Sequence, residues 1–353
     1  MNNPSTLHFS MKPIEEILPL LAHPRKIVIT HHYNPDADAL GSTLALYHYL
    51  TVKGHSCTVI SPNSMPDFLL WMPDADKVMI YDQQIAQSNE VIKESEILFC
   101  LDFNQVSRTK VMTQVLNDYA GIKVMIDHHL FPDLSFEYGI SIPEKSSTCE
   151  MVYDFINASG DNQLITKMMA QCIYAGTMTD TGSFKFSCTS SETHRMVADL
   201  MDKGLVPAPV HQAVFDNYQE NRLRFLGYVL SEKMMIFPNQ HTALIAISRE
   251  ELNRYKINTG DSEGIVNFPL SIKNIIFSIF ISERESEIRM SFRSKGNLDV
   301  NEFARKYFNG GGHANAAGGK SDDSLSETIE KIKNALNENE SLFKTCYQES
   351  LLS

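Results

Sequence analysis

Short apolar runs alternate with amphipathic stretches through the first half of the chain. Residues 26–30, 57–60, 77–81, 97–101 and 123–126 are runs of the length and composition of buried strands. Between the first two, Leu40, Leu44, Tyr47 and Thr51 recur at helical spacing, which predicts a helix over 39–53 stopped by Gly54. Residues 105–119 supply a second helix between the last two strands, and 14–21 read as a short amphipathic helix before the first. Strand and helix in alternation predict an α/β fold, a doubly wound and mainly parallel sheet. The hydroxyl-rich Ser146-Ser147-Thr148-Cys149-Glu150 marks another helix start before Met151, Val152 and Phe155.

The pattern changes near residue 191. From there to about 234 it is helical and more charged, broken by Pro207 and Pro209 and studded with Arg222, Arg224 and Lys233. Beyond it, 242–248, 275–282 and 287–292 are β-rich, with period-two alternation clearest at Ile288, Met290 and Phe292. A helix follows, with Asp299 as its N-cap, Glu302 three residues on, and Val300, Phe303, Ala304 and Tyr307 along one face. The expected organisation is a metal-binding domain over 1–190, a helical linker over 191–234, and a smaller mixed α+β domain over 235–353.

A chain of 353 residues with 43% hydrophobic content can fill two cores. Its six cysteines form no C-x-x-C pair, and several lie in apolar runs, as buried reduced thiols do. No basic-plus-apolar leader opens the sequence, and no apolar run reaches the roughly 18 residues of a membrane span. A cytoplasmic protein without a membrane partner is the expectation. The net charge of −12 argues against tracking long nucleic acid, which usually needs a basic stripe. It leaves room for a small phosphorylated substrate held by local arginines and metals. A homodimer is compatible with the sequence and not required by it.

Four acidic clusters follow strands or apolar runs. They are His32 with Asp36 and Asp38, then Asp102, then Asp127-His128-His129, and last Asp180, expected in a small-residue loop. In an open α/β sheet, ligands sit outside the carboxyl ends of the strands, so these clusters should converge on one crevice. Carboxylates and imidazoles packed together repel and desolvate one another unless a cation neutralises them. Oxygen-rich ligands with some imidazole suit manganese or a similar hard divalent ion. Two such ions about 3.5–4 Å apart can hold the attacking and leaving oxygens of a phosphoryl displacement. Pro35 keeps Asn34 extended or turned, so Asp36 and Asp38 can address different ions. Asp102 sits where it could bridge both. His128 is expected to ligate, His129 to meet the scissile phosphate or leaving oxygen, and Asp127 to orient a neighbour. His31 reads as structural.

At the far end, Asn309-Gly310-Gly311-Gly312-His313 precedes Ala316-Ala317, expected to start a tightly packed helix. Glycine amides at such a start would bind phosphate. With His313 and with Ser291 and Arg293 upstream, the loop reads as a second, metal-free anion site.

Together these motifs resemble the DHH phosphoesterase family with its DHH-associated C-terminal domain, from about Lys26 to Gly319. The resemblance implies two manganese ions, one held by His32, Asp36 and Asp102, the other by Asp38, Asp102, His128 and Asp180. It points to Arg293, Gly311, Gly312 and His313 for the base or terminal phosphate of a substrate. The chain departs from the family after Asp102, where Phe103-Asn104-Gln105-Val106-Ser107-Arg108 replaces a glycine- or proline-containing version, with Arg108 still placed to reach substrate. The length resembles the compact nanoRNase and pAp-phosphatase branch. Its substrates are very short oligoribonucleotides, 3'-phosphoadenosine 5'-phosphate (pAp), pApA and cyclic-di-AMP. An inter-domain cleft, with the metals on one wall and the anion loop on the other, is expected to limit substrate length. The alternatives are a polyphosphate or pyrophosphate hydrolase and a nucleotide-binding regulator without catalysis. The intact ligand set speaks against the regulator.

Overall fold

The run Lys26–Thr30 is apolar at nearly every interior position, and it becomes a central strand because both of its faces are covered. The computed structural model describes residues 11–133, 135–216, 219–258 and 260–351. They divide into two compact units, Met1–Asn217 and Tyr218–Ser353.

In the first unit the strands are β1 (Lys12–Pro13), β2 (Lys26–Thr30), β3 (Ser56–Ser61), β4 (Met79–Ile80), β5 (Ile97–Leu101), β6 (Ile122–Asp127) and β7 (Tyr138–Ser141). Among the described residues they form one sheet in the order β1-β7-β6-β5-β2-β3-β4, every pair parallel. The helices are α1 (Ala37–Val52), α2 (Ile85–Glu94), α3 (Thr113–Asn117), α4 (Thr148–Ala158), α5 (Lys167–Asp180), α6 (Ser191–Asp202) and α7 (Pro207–Phe215). Alternate strand residues enter two cores. Ile27, Ile29, Phe99, Leu101 and Ile126 pack on one side with α1, α4 and α5, while Val28, Leu98, Cys100 and Met125 pack on the other with Ile92 and Leu116. That is the doubly wound pattern expected.

Local corrections have physical causes. Residues 14–21 form two 3-10 turns, Ile14–Ile17 and Leu20–Ala22, because Pro19 offers no N–H to continue a helix. The strand expected over 77–81 is paired only at Met79 and Ile80, where it lies at the sheet edge with β3 as its neighbour. The helix expected over 105–119 is a 3-10 stretch, Val106–Met112, followed by the short α3. Lys110 inside it has φ 49°, which no α-helix accommodates, and the Thr109 hydroxyl bonds back to Val106 O at 2.7 Å.

The second unit begins with α8 (Glu220–Tyr228), β8 (Met234–Phe237), β9 (Thr242–Ile247), α9 (Arg249–Arg254), β10 (Phe277–Glu283) and β11 (Ile288–Ser294). It continues with α10 (Val300–Phe308), β12 (Gly311–His313), β13 (Ala316–Ser321), α11 (Leu325–Glu338) and α12 (Glu340–Ser350). Its mixed sheet runs β12-β13-β11-β10-β9-β8 among the described residues. Phe277, Ile279, Met290 and Phe292 face a core with Phe303, Phe308, Ile332 and Phe343, whereas Ile245, Ile247 and Phe280 pack on the other side with Phe225 and Leu252. Asp299 caps α10 as read from sequence, accepting from Asn301 N at 2.8 Å and Glu302 N at 3.0 Å.

The division between units falls inside the stretch read as a linker. Met196, Leu200, Val210 and Val214 of α6 and α7 join the first core, and Phe225 of α8 joins the second unit. The expected helix after the glycine loop is a β-hairpin instead. Gly310 has no room for a side chain, since a Cβ there would lie 2.0 Å from Gly318 O. One at Gly312 (φ +153°) would lie 2.4 Å from Ala316 O. These glycines serve close strand packing.

Candidate metal centre

Strand order reverses between β2 and β5, which are neighbours although β3 and β4 intervene in sequence. Ligand crevices form at such a switch point, beyond the carboxyl ends of the strands. His32 follows β2, Asp102 follows β5, and Asp127 ends β6 with His128 and His129 behind it. Asp102 leaves its strand with φ 62°, a left-handed turn that aspartate tolerates better than most residues, anchored by Asp102 N to Ile126 O at 3.1 Å. Two of the expected ligands are not at strand ends. Asp38 stands in the first turn of α1, and Asp180 is the last residue of α5, not part of a loop. The apolar run before Asp180 is helical; α5 is buried on most sides against α1 and α4, so it lacks the polar stripe that would reveal its period.

The side chains converge. His32 Nε2 lies 3.4 Å from Asp102 Oδ2 and 3.8 Å from Asp36 Oδ2. His128 Nε2 lies 3.4 Å from Asp180 Oδ2, 3.6 Å from Asp102 Oδ1 and 3.7 Å from Asp38 Oδ2. Three sets of potential ligands, His32-Asp36-Asp102, Asp38-Asp102-His128 and Asp102-Asp127-His129, each gather their atoms within 4.8 Å. Asp102 belongs to all three. Asp36 does double duty, because its Oδ1 caps α1 by accepting from Asp38 N and Ala39 N while Oδ2 faces His32. Asn34 takes the turned alternative, with φ 57°, and exchanges hydrogen bonds with Asn63.

Histidine orientation fits cation binding. His32 Nδ1 is 3.0 Å from Tyr33 O, and His128 Nδ1 is 3.3 Å from Lys145 O. A neutral ring donating from Nδ1 to a carbonyl presents the Nε2 lone pair to the cluster, as metal-bound histidines do. The charges fit too. Burial, with Asp102 and Asp180 adding to it, pushes Asp38 well above the ordinary carboxylate range, and burial pushes Asp180 up to about 6. Burial also opposes the charge on Asp102, but His128 and His32 hold it well below that range. Burial resists charge on His128 as well, and Asp102 and Asp180 outweigh it and raise the ring well above its usual value. Without cations the cluster must hold protons to limit its own repulsion, and divalent ions would replace them. His31 is buried with Nδ1 2.9 Å from His32 O, and burial pushes it down to about 4, so it is neutral.

His129 and Asp127 pair closely beside Asp102, whose Oδ1 lies 3.7 Å from His129 Nδ1. Asp127 Oδ1 is 2.7 Å from His129 Nδ1, and its Oδ2 accepts from His129 N at 3.1 Å, which fixes the tautomer and plane of the ring. Arg108 lies near enough to His32 to oppose that ring's protonation, and its buried Nη1 has no hydrogen-bond partner among the described residues. The departure from the family pattern after Asp102 has a local use. Asn104 donates to Leu130 O at 2.6 Å and Phe131 O at 3.3 Å, tying the two loops that carry Asp102 and His129.

In the second unit, register places Arg293, Ala316 and His313 opposite one another, with Ser291, Gly318 and Gly311 in the next row on the same face. Phe292, Ala317 and Gly312 turn to the other face. The floor between Arg293 and His313 is therefore made of alanine and glycine. The amides expected to cradle phosphate are in part committed: Gly310 N donates to Ala304 O at 3.2 Å and Gly312 N to Asn301 Oδ1 at 3.0 Å.

Sequence reading missed Thr148 and Cys149. Their backbone amides bind Asp38 at 2.7 and 2.9 Å, and the Thr148 hydroxyl reaches Asp102 Oδ1 at 3.1 Å. The hydroxyl-rich helix start was the available signal.

Comparison with known proteins agrees with this geometry. The family model described as DHH family, N-terminal domain, matches residues 26–177, and the DHHA1 domain matches residues 242–344. The chain is 28% identical to the bifunctional oligoribonuclease and PAP phosphatase NrnA of Thermus thermophilus, over 87% of either chain. It is 28% identical to the probable enzyme of that name from Streptococcus mutans, over 88% of this chain and 94% of that one. Among solved structures, an exopolyphosphatase-related protein from Bacteroides fragilis superposes with a TM-score of 0.90 at 40% identity, covering 94% of this chain and 97% of that one.

Proposed function

We propose, from the premise that this chain belongs to the DHH family of phosphoesterases and carries its DHHA1 domain, that it is a manganese-dependent hydrolase of very short oligoribonucleotides and adenine nucleotides such as pAp, pApA and cyclic-di-AMP. The observation that carries the two-ion reading is Asp102, whose carboxylate belongs to every ligand set of the first unit given above. Two divalent ions bound there would supply Lewis-acid polarisation of the phosphate and a nucleophilic water at neutral pH. His32, Asp36 and Asp102 would hold one, and Asp38, Asp102, His128 and Asp180 the other. His129, steadied by Asp127, is the group assigned to the leaving oxygen. Arg108 offers its buried Nη1 to a phosphate oxygen. Ser291, Arg293, Gly311, Gly312 and His313 are assigned to substrate recognition in the second unit, with the alanine and glycine floor leaving space for a flat or anionic group. The names of the two 28% identical relatives support the nucleotide substrates. Six free cysteines, and the absence among described residues of any helix long and apolar enough to cross a membrane, are in keeping with a place in the cytoplasm.

A second reading, hydrolysis of inorganic polyphosphate, is favoured by the 40% identity to the exopolyphosphatase-related protein. The test is a manganese-supplemented assay on pAp, a ribodinucleotide, pApA and polyphosphate, run on wild type and on Asp102→Asn. Asparagine tolerates the left-handed backbone at this position but cannot bridge two cations as a carboxylate does. Release of nucleoside monophosphates by wild type alone supports the proposal. Turnover of polyphosphate only would replace the substrate class, and an active Asp102→Asn would overturn the two-ion reading.

A further inference from the structure

Residues 145–149, which overlap the helix start read at 146–150, reach the proposed metal ligands through four groups: Thr148 N, Cys149 N, the Thr148 hydroxyl and Lys145 O. Thr148 N and Cys149 N donate to the two carboxylate oxygens of Asp38. The Thr148 hydroxyl donates to Asp102 Oδ1. Lys145 O faces His128 Nδ1, and Ser147 Oγ lies 3.0 Å from Thr177 Oγ1, one turn before Asp180 on α5. We infer that this segment is a positioning cradle for both ion sites and that the buried carboxylate of Glu150 is the lock that sets it. The inference rests on the two-ion reading above.

An α-helix leaves its first amides without partners inside the helix. In α4 the first two go to Asp38, and the third, Glu150 N, goes to Ser147 Oγ at 3.0 Å. Each carboxylate oxygen has two lone pairs, so one amide on each fixes the plane of Asp38 and leaves a lone pair per oxygen for a cation. The helix N-terminus also favours the anionic form that a cation needs. Helix capping alone would therefore be met by Ser147 and any acceptor at position 38. Glu150 has a different task. Its carboxylate, 3% exposed, accepts from Lys145 Nζ at 3.2 Å, from Ser146 N at 3.2 Å, from the Ser146 hydroxyl, and from Thr193 Oγ1 at 3.2 Å. It grips the two residues before the helix cap, and one of them supplies the carbonyl that orients His128. Lys145 is held further by Asp154 at 2.8 Å and Glu192 at 3.4 Å. A carboxylate buried this deeply and bonded on both oxygens holds the loop in one arrangement. Partners that orient ligands in this way typically carry about 10- to 100-fold in metal affinity.

The experiment is calorimetric titration of Mn2+ into metal-free wild type, Thr148→Val, Thr148→Ser and Glu150→Gln, beside thermal melts of the same samples. Valine keeps the shape of threonine without its hydroxyl, and serine restores the hydroxyl. Thr148→Val should weaken manganese binding about tenfold, with Thr148→Ser returning to within about twofold of wild type. Glu150→Gln should weaken both sites by about 10- to 100-fold. Wild-type affinity in Thr148→Val and Glu150→Gln, whatever their melting temperatures, overturns the cradle while the two-ion reading stands. Should Glu150→Gln fail to fold, the valine and serine pair decides alone. Uptake of fewer than two ions by wild type overturns the two-ion reading itself, and the claim about two sites falls with it.

Discussion

Gly176 lies inside α5, and it is limited by two residues of other helices, Cys149 and the expected metal ligand Asp38. A Cβ built there would stand 2.4 Å from Cys149 Sγ, 2.7 Å from Asp38 Oδ1 and 2.8 Å from Asp38 Cα. For Gly176→Ala the carboxylate oxygen must retreat by roughly 0.7 Å, the difference between 2.7 Å and an ordinary contact of about 3.4 Å. Two terms set the stability. Alanine gains about 1 kcal/mol over glycine in a helix interior, and overpacking costs about 1–3 kcal/mol. A net loss of about 0–2 kcal/mol is expected, so the variant should fold. The effect on chemistry is larger, because a misplacement of about 1 Å at a reacting centre can cost about a hundredfold in rate. Turnover on pAp should fall by about 30- to 100-fold, with manganese affinity reduced alongside. The double variant Gly176→Ala/Cys149→Ala removes the sulfur contact but not the contact with Asp38. It should recover part of the stability and little of the activity. Thermal melts, manganese titration and steady-state kinetics on the three proteins measure each claim. Wild-type turnover and metal affinity in Gly176→Ala would refute the close packing of α5 on Asp38.

Two further expectations concern protons and substrate. In the metal-free centre burial pushes Asp180 up to about 6, and Asp102 and Asp180 raise His128 against its burial, so a divalent ion entering the centre should displace protons. Apparent affinity should fall as pH drops from 7 to 5, and titrations at pH 7 in two buffers of different ionisation enthalpy should show net proton release; none would refute the shared-proton picture. The linkage sign for the metal-free fold is the reverse: the raised Asp180 adds stability below the ordinary carboxylate value near 4 and loses it as pH climbs through about 6. For recognition, Arg293→Ala should raise KM for pAp or a dinucleotide roughly ten- to hundredfold, the loss of a charge-assisted contact of about 1.5–3 kcal/mol. Its kcat on bis-p-nitrophenyl phosphate should hold; an equal loss of kcat on both substrates, at constant KM, would place Arg293 in the transition state instead.

The sequence by itself determined the interior strands of the first unit and the class of its chemistry, a phosphoesterase with candidate divalent-metal ligands. Runs such as Lys26–Thr30 and Ile97–Leu101 are apolar on both faces, so they could only be interior parallel strands, and they are. Capping is equally local, which is why Asp299 and Ser147 were legible. The acid and imidazole types also pointed to a cation centre, since six such groups packed together need either bound cations or shared protons to limit their repulsion. What the sequence could not carry were relations between segments far apart in the chain. Asp38 and Thr148 are 110 residues apart, and only the packing of α1, α4 and α5 makes one the cap of the other. Aspartate's tolerance of a left-handed backbone is too weak a signal to place the turn at Asp102, which the fold fixes through the bond from its amide to β6. Burial on most sides of α5 hid its period, so Asp180 read as a loop residue. The glycines at 310–312 were ambiguous for another reason. A residue without a side chain permits a turn, an anion nest or a tight hairpin alike, and the choice among them was made by pairing with β13, which leaves no space for a side chain at Gly310 or Gly312.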